Sequence, residues 1–321
     1  MCKIWHISIF LILFLSPFVG NAQFSGISGG ASSLVVSPQY PEPNEQVTLT
    51  LNDYSINTNG AQIQWFVDGT EITSVKNKRT HTLISNKLGE KQTILVLTTL
   101  ANGTILKARA TILPIRIDML VEADTLTPSF YKGRALPSSG STVRVTAFPF
   151  TGKTKDPHLY SYTWRIGDTV QAGGSQYGKN FITFVPDFKK NIRVSVDVFD
   201  ATGARIANES ISVPLVEPEL YFYDINPLRG ISENAMSNDF IFSGDEIHLR
   251  AEPYFINSDL LNKKPHRQWK LNNVSIENIS ADPQEITLRK QGSTGRFSLE
   301  FHIRNLTQLL QGVKKTITII F

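Results

Sequence analysis

The sequence is almost without cysteine, which limits both the chemistry and the covalent support available to the fold. Its single cysteine is Cys2, in front of the first apolar run, so the chain can form no internal disulfide. A tetrahedral zinc site, which draws on cysteine and histidine, has few ligands to use. Disulfides commonly support secreted domains. Each core must therefore be held by packing and sheet pairing alone, which favours a bacterial over an animal protein.

Sustained helical periodicity is also absent, apart from one predicted helical turn over residues 306–310. With 41% hydrophobic and 19% charged residues, the composition excludes a disordered or fibrous chain. Alternating polar and apolar runs separated by Gly, Asn, Asp and Pro are present instead, and they predict β-strands joined by tight turns.

The first 22 residues are typical of a secretory signal peptide. Lys3 precedes an apolar run over residues 7–15, and Gly20 and Ala22 provide the small residues before a cut at position 23. The alternative is an uncleaved anchor, but the run is shorter than the roughly 20 residues that span a bilayer. We expect an exported chain without a membrane span unless this signal is retained. Residues 23–33 are predicted to be a flexible Gly/Ser leader.

Three tryptophans, Trp65, Trp164 and Trp269, occur in the same local pattern, an alternating run followed by a turn pair three residues later. The turn pairs are Asp68-Gly69, Gly167-Asp168 and Asn272-Asn273. Since Gly, Asn and Asp accept positive φ, each copy predicts a strand that enters a hairpin. The tryptophan spacings of 99 and 105 residues equal one immunoglobulin-type sandwich, in which a buried tryptophan packs between two sheets.

Further hairpins are predicted near the ends of the first two modules. Asn102-Gly103 lies between two alternating runs in the first module, and Thr202-Gly203 does so in the second. The second and third modules also share a strand pattern, because Ala147-x-Pro149 matches Ala251-x-Pro253 with an aromatic residue next in each case.

These motifs and the proline-rich strand entries resemble tandem bacterial immunoglobulin-like domains, including the polycystic-kidney-disease type, over about residues 34–321. The resemblance implies an all-β fold of three tandem Ig-like β-sandwiches after an N-terminal signal peptide. The predicted boundaries are 1–22 for the signal peptide, 23–33 for the leader, and 34–114, 115–214 and 215–321 for the three domains. Because no flexible spacer separates the domains, we expect neighbouring sandwiches to be coupled stiffly. Many functions share this fold.

No catalytic, cofactor-binding or metal-binding residue is predicted. The histidines show no i, i+4 pair and no H-E-x-x-H motif. Gly26-x-Ser28-x-Gly30 lacks the strand, turn and helix that a hydrolase nucleophile requires. Gly152-Lys153-Thr154 lacks the first glycine of a phosphate-binding loop, because position 147 is alanine.

Two kinds of ligand remain open. Some extracellular modules bind calcium through acidic residues at domain junctions, although turns and solvated edges explain these acids more simply. The acids concerned are Asp118, Glu122, Asp124, Asp197 and Asp200. Solvent-facing tyrosines could stack on sugars, although strand alternation predicts that half of the aromatic residues point into cores. The candidate tyrosines are Tyr160, Tyr162, Tyr221, Tyr223 and Tyr254.

The net charge of +4 is spread over all three modules. Solvated loops and edge-strand protection explain the basic residues, so no nucleic-acid partner is expected. We interpret the chain as a non-catalytic exported protein of the cell surface or periplasm that acts as a spacer or interaction module. Its partner would be an unknown protein or an envelope polymer. A carbohydrate-binding module predicts instead a row of exposed Tyr and Phe, and an enzyme predicts a pocket with convergent ionisable groups.

Overall fold

The computed structural model describes residues 32–53, 60–187, 191–262, 265–277, 280–290, 292, 295–306 and 311–320. The predicted signal peptide, most of the predicted leader and residues 307–310 of the predicted helical turn lie outside these ranges. The described chain is all-β, as the sequence predicts. Apart from strands, it contains one short helix, Asp259–Asn262 (α1), and 3₁₀ turns at Thr73–Val75 and Pro157–Leu159.

The first sandwich begins with a strand that includes two residues of the predicted leader. Its strands are β1 (Ser32–Ser37), β2 (Gln46–Asp53), β3 (Gln62–Val67), β4 (Thr70–Glu71), β5 (Thr80–Ile84), β6 (Gln92–Thr99) and β7 (Ile105–Ile112). They form the sheets β1-β2-β5 and β4-β3-β6-β7. Ser32 and Ser33 pair with Asp53 and Asn52 of β2, which corrects the end of the leader because these residues are held in a ladder.

The second sandwich repeats this order. Its strands are β8 (Arg116–Asp124), β9 (Thr142–Phe150), β10 (Ser161–Ile166), β11 (Thr169–Val170), β12 (Gln176–Tyr177), β13 (Phe181–Phe184), β14 (Ile192–Phe199) and β15 (Arg205–Val213). They form the sheets β8-β9-β13 and β11-β10-β14-β15, and the short β12 also pairs with β10.

The third sandwich keeps the same plan with short additions. Its strands are β16 (Glu219–Asn226), β17 (Gly230–Ile231), β18 (Asp239–Ile241), β19 (Glu246–Tyr254), β20 (His266–Leu271), β21 (Val274–Ile276), β22 (Glu285–Arg289), β23 (Arg296–Arg304) and β24 (Gly312–Ile320). They form the sheets β17-β16-β19-β22 and β18-β24-β23-β20-β21. β18 runs parallel to β24, while the other strand pairs of this sandwich are antiparallel.

Each sandwich has seven main strands when the short strands β12, β17 and β18 are left out. In all three sandwiches, the first, second and fifth main strands form one sheet, and the third, fourth, sixth and seventh form the other. Two such sheets face each other across a core in immunoglobulin-type sandwiches. The second core contains valines from both sheets, such as Val145 of β9 and Val196 of β14. The third core likewise joins Leu249 of β19 to Phe301 of β23. The predicted all-β sandwich fold is confirmed.

The three tryptophans have the same buried setting. Trp65, Trp164 and Trp269 are 0%, 5% and 2% exposed. Each indole Nε1 donates to a backbone oxygen two residues before the fifth main strand of its sandwich. The acceptors are Lys78 at 2.8 Å, Lys179 at 2.9 Å and Pro283 at 3.0 Å. A buried indole N–H needs such a partner, so this bond ties the central strand of one sheet to the entry of the other.

Replacing Trp164 with phenylalanine should cost about 1–3 kcal/mol of unfolding free energy, because the Lys179 carbonyl loses its buried donor. Urea denaturation followed by circular dichroism measures the change. Leu159→Ala, at a side chain that is 48% exposed nearby in the same sandwich, is a control expected to shift stability by less than about 0.5 kcal/mol. An unchanged unfolding midpoint in Trp164→Phe would show that the indole bond contributes nothing.

The predicted turn residues lie in hairpin loops. Positive φ occurs at Asp68 and Gly69, at Gly167, and at Asn272 and Asn273, where the hairpins after β3, β10 and β20 need it. Gly103 and Gly203 also have positive φ. Asp168, Asn102 and Thr202 do not share this backbone conformation. The Asn102 side chain instead accepts a bond from the Thr104 amide at 3.0 Å.

The chain divides into two compact units. Among the described residues, one unit contains those within 32–37, 48–83 and 92–111, and the other contains those within 38–47, 84–91 and 112–320. The second and third sandwiches therefore belong to the same unit. The predicted domain boundaries at 114/115 and 214/215 stay predictions.

Candidate functional site at the joint of the second and third sandwiches

The connection between β8 and β9, residues 125–141, runs from the second sandwich onto the third, and we call it the strap. Its Leu126 amide donates to the Ile256 carbonyl at 2.7 Å, and the Phe255 amide donates back to the Leu126 carbonyl at 2.8 Å. The Leu126 side chain packs against the core of the third sandwich. A residue between two strands of one sandwich thus helps to complete the core of the next.

The strap meets the outer face of the β16-β19-β22 sheet. Leu220 and Phe222 of β16 lie in the core, so the alternate residues Tyr221 and Tyr223 face outwards. Tyr254 of β19 is on the same outer face, since Ala251 of that strand is in the core. A sandwich that stood alone would expose these three tyrosines to solvent.

Aromatic residues of the strap cover two of these tyrosines. The ring centroids of Phe130 and Tyr223 are 5.1 Å apart, and those of Tyr131 and Tyr254 are 5.4 Å apart. Tyr223 and Tyr254 are consequently only 4% and 6% exposed. Their hydroxyl oxygens lie 2.6 Å apart, and burial raises the pKa of both phenols. Edge-to-face aromatic pairs add stabilisation beyond the area that they bury.

A buried polar network lies beside this aromatic contact. Gln311 is fully buried, and its Oε1 accepts a hydrogen bond from the backbone amide of Asn257 at 2.6 Å. Its Nε2 donates to the Ser139 carbonyl of the strap. Asn257 Nδ2 donates to the Gly140 carbonyl at 3.1 Å. Buried amides that are bonded in this way fix one arrangement of the joint, because any other leaves them without partners.

The two ends of the strap are also held. At its start, the Ser258 hydroxyl donates to the Asp124 carboxylate. Towards its end, the Val216 amide donates to the Pro137 carbonyl at 2.9 Å. Gly140 has a φ of +82°, and a Cβ there would lie 3.1 Å from Gln311 Cγ, so a side chain would disturb the network. The strap is therefore fixed at both ends as well as by its aromatic rings.

Sequence reasoning missed the residues of this joint. It gives no role to Phe130, Tyr131 or Gln311, although the long β8–β9 connection contains two adjacent aromatic residues and two prolines. That composition is unusual for an exposed loop and is the signal that could have indicated a buried contact.

Four of the five tyrosines considered as sugar-stacking residues are buried, which corrects that prediction. Tyr160 and Tyr162 lie in the second core, and the strap covers Tyr223 and Tyr254. Tyr221 is partly exposed, but Lys315 Nζ lies 4.3 Å from its ring centroid. A hydrogen bond to Glu219, with some burial, raises the pKa of Tyr221 to about 12. These rings offer no row of open faces to a glycan.

Four of the five acidic residues considered for calcium have other partners, including Asp124, which accepts from Ser258. Asp197 pairs with Arg165 at 2.6 Å and with Arg205 at 3.4 Å. Asp118 pairs with Arg116 at 3.1 Å. Burial alone would raise the pKa of Asp200, but hydrogen bonds from its own turn outweigh that effect and lower the pKa. Within the described ranges, no three His, Cys, Asp or Glu side chains converge on a metal position.

A pocket of about 330 Å³ lies on the third sandwich. Its lining includes His266, Arg267 and the edge of Trp269, together with small polar residues and a proline, and it contains no carboxylate. Arg267 Nε is buried without a hydrogen-bond partner in the described part of the chain. The lining therefore provides no pair of an acid and a base for general catalysis.

The side chain of His302 on β23 predicts how the stability of the folded chain depends on pH. Burial, with positive charge on Arg304 and His266 nearby, lowers its pKa below 6.5. The unfolded chain therefore takes up this proton first as the pH falls below about 6.5. The folded state should lose stability between pH 6.5 and the lowered pKa. Melting temperatures from pH 7.5 to 5 should fall more for the unaltered chain than for His302→Gln, and equal slopes would contradict the assignment.

In the part of the chain that the structure describes, none of the helical segments has the length and apolar character of a membrane span.

Comparisons with known proteins give only distant similarities. No protein family profile matches the chain, and no curated protein matches it. The fibronectin(III)-like modules of Clostridium thermocellum CbhA are 11% identical, with 57% of this chain and 93% of that chain covered and a TM-score of 0.27. Three N-terminal domains of the bacteriophage RB49 Highly Immunogenic Outer Capsid protein are 14% identical, with 90% and 98% covered and a TM-score of 0.26. Bacteroides ovatus SGBP-B, in complex with a mixed-linkage heptasaccharide, is 11% identical, with 89% and 70% covered and a TM-score of 0.21. The fold assignment rests on the strand order and the cores.

Proposed function

We propose that this chain is a non-catalytic exported protein of a bacterial cell envelope, whose second and third sandwiches form one stiff arm that spaces or presents interaction surfaces. The strap carries this proposal, because it joins the two sandwiches through both apolar and polar contacts. The signal-like N-terminus and the scarcity of cysteine support export in a bacterium.

Stiffness is the property that needs a physical cause. Domains in one chain move relative to each other by default unless their interface is large and hydrophobic. Here Leu126 enters the third core, Phe130 and Tyr131 pack on tyrosines, and Gln311 bonds to the strap backbone. Bending the joint would expose the aromatic rings and break buried hydrogen bonds together. The arm should therefore hold its loops and strand edges at a fixed separation, where a partner could bind them.

The carbohydrate-binding alternative has less support. It requires a row of solvent-facing aromatic rings, but four of the five candidate tyrosines are buried. We therefore propose protein interaction ahead of glycan binding.

Distance measurements between spin labels test the stiff arm. Thr183→Cys in the second sandwich and Thr316→Cys in the third provide exposed label sites, in a chain whose Cys2 is replaced by serine. The unaltered joint should give one narrow distance distribution. Phe130→Ser combined with Tyr131→Ser should about double its width, because the strap loses its aromatic contacts.

Tyr177→Ser is the matched control, since that ring is 68% exposed and belongs to the second sandwich only. It should leave the distribution unchanged. A broad distribution in the unaltered chain, or one that the double substitution does not affect, would refute the stiff arm.

A further inference from the structure

The outer face of the β8-β9-β13 sheet in the second sandwich is the counterpart of the face that the strap covers in the third. The residue before Ala147 on β9 pairs with Leu120 of β8. In the same way, the residue before Ala251 on β19 pairs with Tyr223 of β16. Leu120 therefore has the position of Tyr223, one of the rings under the strap.

The two faces differ in whether they are covered. Phe148 has the position of Glu252, because each lies one residue after the shared alanine. Leu120 is 47% exposed and Phe148 is 38% exposed, whereas Tyr223 is buried by the strap. The second sandwich thus exposes Leu120 at the position where the third sandwich keeps Tyr223 covered, and it exposes Phe148 on the same face. Apolar side chains grouped on a sheet face are typical of interaction sites.

Two cations lie beside these apolar residues. Arg144 Cζ lies 3.9 Å from the ring centroid of Phe181, and Lys179 Nζ lies 6.0 Å from the same centroid. Neither cation forms an ion pair with a described carboxylate, although Glu122 is opposite Arg144 in the strand register. A guanidinium that packs on an aromatic ring still presents N–H groups that can bind a carboxylate.

In the covered joint the strap is basic, and the acids of the sheet face beneath it pair with Arg250. The strap carries the exposed basic residues Lys132 and Arg134. The sheet face that it covers carries acids, including Glu252 and Glu285 around Arg250.

On the open face of the second sandwich, Asp118 pairs with Arg116, whereas Arg144 and Lys179 have no carboxylate partner among the described residues. An acidic segment has the charge that complements these two cations.

We propose that the outer face of the second sandwich binds an extended acidic peptide segment of another protein that carries an aromatic residue. The face is formed by Leu120, Arg144, Phe148, Lys179 and Phe181. The aromatic residue of the partner packs on Leu120 and Phe148, as Phe130 packs on Tyr223 in the joint. Its carboxylates bind Arg144 and Lys179. This proposal rests on the proposed interaction function and specifies its partner.

A synthetic peptide with the sequence of residues 125–137, carrying Lys132→Glu and Arg134→Glu, is the probe. It covers the part of the strap that contains both aromatic residues, with the opposite charge. Fluorescence anisotropy with the full chain measures its binding. The acidic peptide should bind about tenfold more tightly than the unaltered, basic peptide, because two ion pairs replace two repulsions.

Variants of the chain locate the binding face. Arg144→Glu and Phe148→Ser should each weaken binding about tenfold, and Glu122→Gln should strengthen it slightly. Arg193→Glu, at an exposed arginine on the other sheet of the same sandwich, is the matched control and should change nothing. Melting temperatures verify that each variant is folded.

Equal binding of the acidic and basic peptides would overturn the proposal, as would unchanged affinity in folded Arg144→Glu. Binding of polygalacturonate without binding of the acidic peptide would assign the face to an anionic glycan. Concentration-dependent self-association in sedimentation that Phe148→Ser abolishes would assign it to a second copy. None of these results affects the spin-label distances, so this proposal and the stiff arm can fail separately.

Discussion

Replacing Trp269 with alanine is expected to lower the unfolding free energy of the third sandwich by about 3–5 kcal/mol. The indole lies 4.5 Å from the ring of Phe301 and 6.0 Å from that of Phe222, measured between centroids. Its removal leaves a cavity between the two sheets and takes the donor from the Pro283 carbonyl. Urea denaturation of the full chain, with hydrogen exchange of β23 as the local probe, measures the loss.

Val274→Ala is the control for this experiment. Val274 lies on β21, which pairs with the tryptophan strand, but its side chain is 66% exposed. We expect a change of less than about 0.5 kcal/mol. Similar losses in the two variants would mean that the indole is not the centre of this core.

Replacing Gln311 with leucine is expected to uncouple the second and third sandwiches. The substitution keeps the apolar volume but removes the acceptor of the Asn257 backbone amide and the Gln311 donor to the Ser139 carbonyl. Each buried group left unpaired costs about 1–3 kcal/mol. Hydrogen exchange in increasing urea measures the protection of β14 and β23 separately. The two strands should lose protection together in the unaltered chain and at different urea concentrations in the variant.

Gln171→Leu is the matched control, because its side chain bonds only locally, to the Thr169 carbonyl of its own hairpin. It should leave β14 and β23 coupled. If Gln311→Leu also leaves them coupled, the polar network is not what joins the sandwiches, and the aromatic contact of the strap would have to do so alone.

The sequence correctly predicts features that depend only on residues close together in the chain, such as turn conformation and the side of a strand on which a residue lies. Asn272 and Asn273 adopt the positive φ that their residue types accept, and alternation around Trp164 places that ring in a core. Asp168 differs, because Gly167 already supplies the conformation that this turn requires. The predicted leader is wrong at Ser32–Ser33 because serine does not show whether a strand partner exists.

The joint depends on contacts between residues far apart in the chain, so no local pattern could predict it. Tyr223 alternates correctly to the outer face of its sheet, and alternation alone predicts that it is exposed. It is buried because Phe130, which belongs to the preceding sandwich, packs on it. Gln311 likewise carries no local sign that its amide meets the Ser139 carbonyl.

The strap has a practical consequence for cutting the chain into pieces. A fragment that begins near residue 215 would keep every strand of the third sandwich but would lose the cover of Tyr223 and Tyr254. Such a fragment would expose aromatic surface and should precipitate or bind other molecules nonspecifically. A fragment over 112–320 keeps the cover in place. Gene fusions and crystallisation trials should therefore treat these two sandwiches as one indivisible building block.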